Sequence, residues 1–531
     1  MRRSKQLRAP LQAALARTAL GVVLLAAAPQ LTGCRVSDDD VHHWARKASG
    51  PKRLVAVLTH DKYPLELRVE AAMTLVTMKP RGGRAVGLLG GDESQGLLSA
   101  LAELPTDKRQ RIVSGMVPPL EAGIKTPPAA DGTDASFAYK EAAYALLIHE
   151  PEPLVPEGAE RQRLLEALRV WTQTAFEKRF DDTAQLYGME QVLRLLKNDG
   201  VRGLTPLLTP ESKKLDAIAK LVHELGDEAT QLDASARLAQ VASFVDSPEW
   251  QAKRAPVLKA GNEKAKLKVT DQQFAIQLAT YQEEELLRVF SAMKSVGKKP
   301  VVDFLLAYAR NDKNPEKRRA AALAALDGNL DRQNPDHAKA VLDLLADGAT
   351  PDSIRDVAAR RVGELPRAQV AERLYSLFDD KRWQVRWSVA SLLLQMSDAK
   401  QIDEFMARLG KVREMAMSEP LAYGPLLHDL KGAQPEELAD RFAKTTEPTP
   451  VRLSALGYYY RYGDKTDLPK ISPYQEDTQK VPPCKSETGC EWSCTIAENK
   501  TQVEKQVATV GDFVRYCIAP ALSAREPSPA P

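Results

Sequence analysis

Apolar positions recur at helical spacing along almost the whole chain, and strict two-residue alternation is scarce. One phrase repeats. Arg68 is followed by Ala71, Ala72 and Leu75, and Arg319 by Ala322, Leu323 and Leu326. Arg386 leads Val389, Ala390 and Leu393 in the same way; Arg355 leads Ala358, Ala359 and Val362, and Arg452 leads Ala455, Leu456 and Tyr459. These offsets place each set on one face of a helix. The small residues among them let a neighbouring helix come close. An aspartate stands seven residues before three of the arginines, at Asp61, Asp312 and Asp379. Arg319 and Arg355 are 36 residues apart, Arg355 and Arg386 31, and Arg386 and Arg452 66, or two units of 33. Each unit has room for two helices and two turns. Pro64, Pro315 and Pro351 fall just before the second helix, where proline is tolerated.

This pattern resembles the HEAT repeat family, including its short bacterial variety. The phrases that carry it are Asp61-Lys-Tyr-Pro-Leu-Glu-Leu-Arg68 and Asp379-Asp-Lys-Arg-Trp-Gln-Val-Arg386-Trp-Ser-Val-Ala390. The resemblance implies an all-α, HEAT-like α-solenoid of antiparallel helix pairs, in which each pair touches only its neighbours. The array is expected over residues 41–470 and is irregular between about 106 and 280. There Lys140 with Ala143, and Lys214 with Ala217, Ile218 and Leu221, are the best units. Residues 127–136 and 150–158 are proline- or glycine-rich loops. The aspartates are expected to cap helix amides, and the resemblance implies that the arginines bond to a neighbouring repeat. Asp61, Arg68, Asp312, Arg319, Arg355, Asp379, Arg386 and Arg452 are therefore expected to form a structural ladder, not an anion site.

The N-terminus has a different pattern. Arg2, Arg3, Lys5, Arg8 and Arg17 form a basic leader, followed by an apolar core from Ala19 to Ala28. That core is shorter than the ~20 residues that span a bilayer, so residues 1–33 are expected to be a removable signal peptide. Leu31-Thr32-Gly33-Cys34 resembles the bacterial lipobox, which implies a lipid-modified Cys34 and a short tether over 34–40. Removing five basic residues and no acidic one turns the net charge from +3 to about −2. The mature chain thus lacks the basic excess of a nucleic-acid binder.

The remaining cysteines, Cys484, Cys490, Cys494 and Cys517, cluster near the C-terminus. In an exported chain an even cluster predicts two disulfides, with three possible pairings. Zinc is the rival, but paired Cys-x2-Cys knuckles are missing. Val503, Val507, Val510, Val514 and Cys517 recur at four and three, which predicts a final helix with Cys517 on its apolar face. A cystine from the loop around Trp492 to Cys517 would pin that helix over the last repeat. Residues 471–522 are thus a Cys-rich cap, and 523–531 a disordered tail.

Candidate chemistry is sparse. There is no HExxH, no GxSxG and no phosphate loop, and the glycine run from Gly82 to Gly91 reads as a turn and a loose helix. His42-His43 reads as a solvated helix start. The basic stretch from Lys253 to Lys268 could face anionic lipid or a glycan, but reads as a solvated, disorder-leaning face. No catalytic residue, metal or cofactor is expected.

A lipid-anchored cell-envelope scaffold is the expected function, with an unidentified envelope protein bound on the solenoid surface. Arg35 after the lipid cysteine points to the outer membrane. No small-molecule substrate is evident. The alternatives are an enzyme or cofactor-handling lyase, since phycobilin lyases use similar repeats, and a glycan or cell-wall module displaying Trp383 and Trp387.

Overall fold

The computed structural model describes residues 36–526 except 82, 92–93, 486–489 and 499–500. The leader, Cys34 and the last five residues of the expected tail lie outside the described residues. The chain divides into two compact units. Residues 1–123 and 135–164 form the first, and 124–134 and 165–531 the second.

The first unit opens with α1 (Asp38–Trp44), which Ser37 starts by accepting from the Asp40 amide while Asp40 accepts from the Ser37 amide at 2.9 Å. The helix therefore begins inside the stretch expected as a tether. α2 (Gly50–Thr59) and α3 (Leu65–Val76) form the first pair, with Leu54 and Leu58 packed in the same core as Ala71, Ala72 and Leu75. The glycine run yields α4 (Val86–Leu89) and two paired two-residue strands, β1 (Gly90–Gly91) and β2 (Ser94–Gln95). α5 (Leu97–Ala102), α6 (Thr106–Ile124), α7 (Ser136–Ile148) and the first six residues of α8 (Ala159–Gln173) follow.

The second unit continues through α9 (Phe176–Asp181), α10 (Met189–Leu196), α11 (Asn198–Arg202), α12 (Leu215–Leu225) and α13 (Glu228–Val245). Two longer helices, α14 (Pro248–Lys264) and α15 (Asp271–Val296), precede the regular pairs. These are α16 (Lys299–Arg310) with α17 (Glu316–Ala325), α18 (Pro335–Ala346) with α19 (Asp352–Val362), and α20 (Arg367–Tyr375) with α21 (Trp383–Gln395). α22 (Ile402–Leu409) with α23 (Ser418–His428) and α24 (Pro435–Phe442) with α25 (Thr449–Tyr462) complete them. The second helices stack as one layer, α15, α17, α19, α21, α23 and α25, and α13, α16, α18 and α20 stack as the other.

Register is visible in the surface ion pairs. Lys294–Asp327 at 2.7 Å, Arg367–Glu404 at 2.8 Å, Arg408–Glu372 at 3.0 Å and Arg441–Asp403 at 2.6 Å join residues 33 to 38 apart, one repeat on. Each such exposed pair adds little stability; their common spacing marks the repeat. The tightest seam lies between α23 and α25. A Cβ on Gly424 would sit 2.2 Å from the Gly457 carbonyl carbon, and one on Gly457 would sit 2.2 Å from the Pro420 oxygen. The two backbones touch there, which only glycine permits.

The C-terminal segment corrects one expectation. After α26 (Leu468–Ile471) the chain forms an antiparallel hairpin, β3 (Ser493–Glu498) with β4 (Thr501–Gln506), that pairs Ile496 with Val503. Val503 therefore lies in a strand, not on the expected helix. The helical run starts only after Thr509, whose hydroxyl accepts from the Asp512 amide at 3.1 Å while Asp512 accepts from the Thr509 amide at 3.0 Å. It comprises α27 (Val510–Phe513), a π-helical turn (Val514–Ile518) and α28 (Ala519–Ser523). β-branched valine serves a strand well, and the local cap overrides the valine periodicity. Disulfides join Cys484 to Cys490 and Cys494 to Cys517. Trp492 Nε1 donates to the Met415 carbonyl at 2.9 Å, and its ring meets Phe513 edge-on, which docks the cap on the end of the stack. The fold is an all-α, HEAT-like solenoid of antiparallel helix pairs with a disulfide-stapled C-terminal cap.

Candidate interaction surface

Each recurring arginine bonds a carbonyl of its own helix pair, and Arg452 also reaches beyond it to Gln479 at 2.9 Å and to Asp477. Arg68 Nε donates to the Leu58 carbonyl at 2.8 Å, Arg319 Nε to Ala309 at 2.8 Å, and Arg452 Nε to Ala443 at 3.3 Å. Arg355 reaches the Thr350 carbonyl at 2.6 Å, and Arg386 reaches Asp380 at 2.7 Å. Leu58, Ala309 and Ala443 stand at the end of the preceding helix, where intrahelical donors run out, and Thr350 and Asp380 stand in the turn that follows it. The resemblance implied bonds to a neighbouring repeat. Arg386 makes one as well, to Glu419 of the next pair at 3.0 Å.

The aspartates do not cap helices. The N-cap positions of α3, α17 and α21 are Pro64, Pro315 and Arg382, none with a side-chain cap. Asp61 instead binds Arg68 at 3.3 Å and Lys108 at 2.5 Å, and the Lys108 hydrogen bond holds its carboxyl below the usual range. Asp312 and Asp379 are exposed, with no side-chain partner among the described residues. Asp380, one residue on, holds Arg382 through both oxygens at 2.9 Å. At α3 and α17 the physical reason is proline, which presets the backbone entering a helix without a side-chain acceptor; at α21 the N-cap is Arg382, itself held by Asp380.

Two residues escaped the repeat pattern. Arg179, almost wholly buried, donates to Asp134 at 2.8 Å and to the Trp171 carbonyl at 2.7 Å, doing the ladder's work with no alanine phrase behind it. Glu419 was legible only through spacing, 33 residues after Arg386 and 33 before Arg452.

The exposed side of the second-helix layer carries the surface aromatics. Trp387 on α21 is 40% exposed and lines an open groove of about 650 Å³ with Arg360, Arg361, Glu364, Ser388 and Gln395. Burial pushes the Glu364 carboxyl up, although Gly328 donates its amide at 3.1 Å and Arg361 lies 3.0 Å away. Beside it, hydrogen bonds from Lys294 and Arg361 draw Asp327 down to about 2. Trp383 is half-buried, and its indole N–H has no partner among the described residues. Further along the layer, the His428 ring stacks on Tyr462 at 4.1 Å, with Tyr458 at 5.6 Å from Tyr462. Exposed aromatics on rigid elements lose little side-chain entropy when covered, which is why they recur as anchors of protein interfaces.

Other sequence candidates gather no site. His42 pairs with Glu70 at 3.2 Å at the end of α1. Among the described residues, no three His, Cys, Asp or Glu side chains converge to hold a metal ion, and no helix is long and apolar enough to cross a membrane. Lys140 is buried against Glu141 at 2.8 Å, and Lys214 meets Asp181. The Lys253–Lys268 stretch, expected to lean to disorder, is largely the helix α14.

No family model matches the chain, and no curated protein matches its sequence. Among solved structures, a Kap121p mutant aligns at 11% identity over 82% of this chain and 43% of its own, with a TM-score of 0.29. Importin beta aligns at 11% identity over 85% of this chain and 66% of its own, with a TM-score of 0.23. The chain thus spans less than half of the first protein's length. The chain's own stacked helix pairs and arginine ladder define its fold.

Proposed function

We propose that this protein is a scaffold of the bacterial cell envelope, anchored by lipid on Cys34 and binding a partner protein on the exposed face of its second-helix layer. The observation that carries the binding half is the aromatic surface of α21, α23 and α25, where Trp387 borders a groove and His428, Tyr458 and Tyr462 form one stack. The lipobox-like Leu31-Thr32-Gly33-Cys34 supports the anchor, and Arg35 supports sorting to the outer membrane. Rigid helix pairs present such a surface with little ordering cost.

Photo-crosslinking tests the binding half. A photoreactive side chain at Trp387 should capture one reproducible protein, whereas the same group at Lys339, exposed on α18 in the other layer, should not. Equal capture from both positions, or none from Trp387, would defeat the reading. Cys34→Ser should move the protein from the membrane to the soluble fraction; retention in the membrane would remove the anchor.

A further inference from the structure

α14 and α15 extend beyond the core of the second unit as a two-helix finger. Between Gln251 and Tyr281, Asn262 is the only buried residue. The buried positions of α15 begin at Gln282, so about its first ten residues, roughly 15 Å at the usual helical rise, project from the packed stack. The finger is nevertheless well made. Asn262 and Gln277 exchange amide hydrogen bonds at 2.8 and 3.3 Å across it, and Lys259 lies over the Phe274 ring at 5.1 Å. The Leu267 amide donates to the Asn262 carbonyl at 2.9 Å, and Thr270 caps α15.

Its exposed chemistry is unusual for this molecule. Val257 is 61% exposed, Leu267 58% and Ile276 61%, whereas the next large aliphatic, Leu89, reaches 44%. All three lie on the finger. The turn that joins the two helices carries Lys264, Lys266 and Lys268, which form no ion pair among the described residues, against the two exposed acids Glu263 and Asp271, while Lys253 is held by Glu211 at 2.8 Å. Lys266 adopts a positive φ of 56°, which turns the chain tightly at the tip. Exposed aliphatic side chains on and beside a cationic tip match a surface that supplies negative charge and a yielding apolar interior together. Nucleic acid supplies the charge but offers nothing to the aliphatics, and the aromatic ring nearest the tip, Phe274, is partly covered and lies under Lys259.

We propose that the α14–α15 finger docks on an anionic phospholipid bilayer, its tip lysines at the headgroups and Leu267 with its flanking aliphatics in the acyl boundary. This contact is separate from Cys34 and stands whether or not that cysteine carries lipid.

The test uses the full chain with Cys34→Ser, bearing an environment-sensitive fluorophore on Ala265→Cys at the tip or, as control, on Glu316→Cys at the start of α17. Vesicles rich in phosphatidylglycerol should shift the emission of the tip label to the blue, those of phosphatidylcholine alone should not, and the control label should respond to neither. K264S/K266S/K268S, all exposed and expected to fold, should weaken binding on the order of 100-fold, at about 1 kcal/mol per lysine. The proposal is overturned if phosphatidylglycerol vesicles leave the tip label unchanged. It is equally overturned if single-stranded RNA shifts the label while those vesicles do not, or if the lysine variant binds the vesicles undiminished.

Discussion

Glu419 closes an ion pair with Arg386 at 3.0 Å between two consecutive second helices, and neither side chain is more than 2% exposed. The Glu419 carboxylate also accepts from the Ala416 amide at 2.5 Å, and the Tyr423 hydroxyl lies 3.3 Å from it. Burial pushes the Glu419 carboxyl up, opposed by Arg386. At 33 residues from Arg386 and 33 from Arg452, Glu419 occupies the ladder's place in the intervening unit with the opposite charge. One rung of the ladder is thereby tied to the next.

Breaking this pair leaves a buried charge alone. Glu419→Gln is expected to lower stability by about 3–5 kcal/mol, whereas the apolar double replacement Arg386→Met with Glu419→Leu should recover most of that loss. Urea unfolding of the two variants measures the difference. A double variant as unstable as the single one would mean that the charges themselves are needed.

The α23–α25 seam makes a steric prediction. Gly457→Ala places a methyl against the Pro420 carbonyl, and backbone cannot move aside as a side chain can. A loss of about 1–3 kcal/mol is expected. Gly261→Ala, with open space around its Cβ, should leave the melting temperature unchanged or raise it.

Asp327 predicts a pH dependence. Its folded value of about 2 lies below the unfolded value of about 3.9. The group therefore contributes stability that is present above pH ~4 and is lost as pH falls through about 2. Lys294 and Arg361 are the cations facing it, and Glu364 is the neighbouring acid. Asp327→Asn should flatten the stability profile between pH 4 and 2, measured by thermal melts across that range. An unchanged slope would place the acid sensitivity elsewhere.

The cap should depend on its longer cystine. Cys517→Ser opens a link spanning 23 residues, which should destabilise the cap by roughly 3 kcal/mol. Trp492, buried against Phe513, is the reporter. Acrylamide should quench its emission more strongly in the variant. Thiol titration of the denatured wild-type chain without its leader should find no free thiol among Cys484, Cys490, Cys494 and Cys517.

Repetition made much of the architecture legible. An arginine followed by small and apolar residues at offsets of three, four and seven defines a helix face wherever it occurs, because helical geometry is local. Arg68, Arg319, Arg355, Arg386 and Arg452 therefore marked their helices without any knowledge of neighbours. What each arginine bonds was another matter. A guanidinium can reach its own pair or beyond it, and packing gave every one a carbonyl of its own pair while Arg386 also gained Glu419 and Arg452 gained Gln479 and Asp477. Arg179 was hidden because its ion pair joins segments 45 residues apart, whereas the β3–β4 hairpin was hidden because Val503 and Val507 fit a helical spacing as well as a strand. The aromatic face and the finger show this most plainly. The sequence by itself determined that Trp387, Tyr462, Leu267 and Ile276 are apolar; only the tertiary structure decided that they stay uncovered, because burial depends on which neighbours the stack brings close.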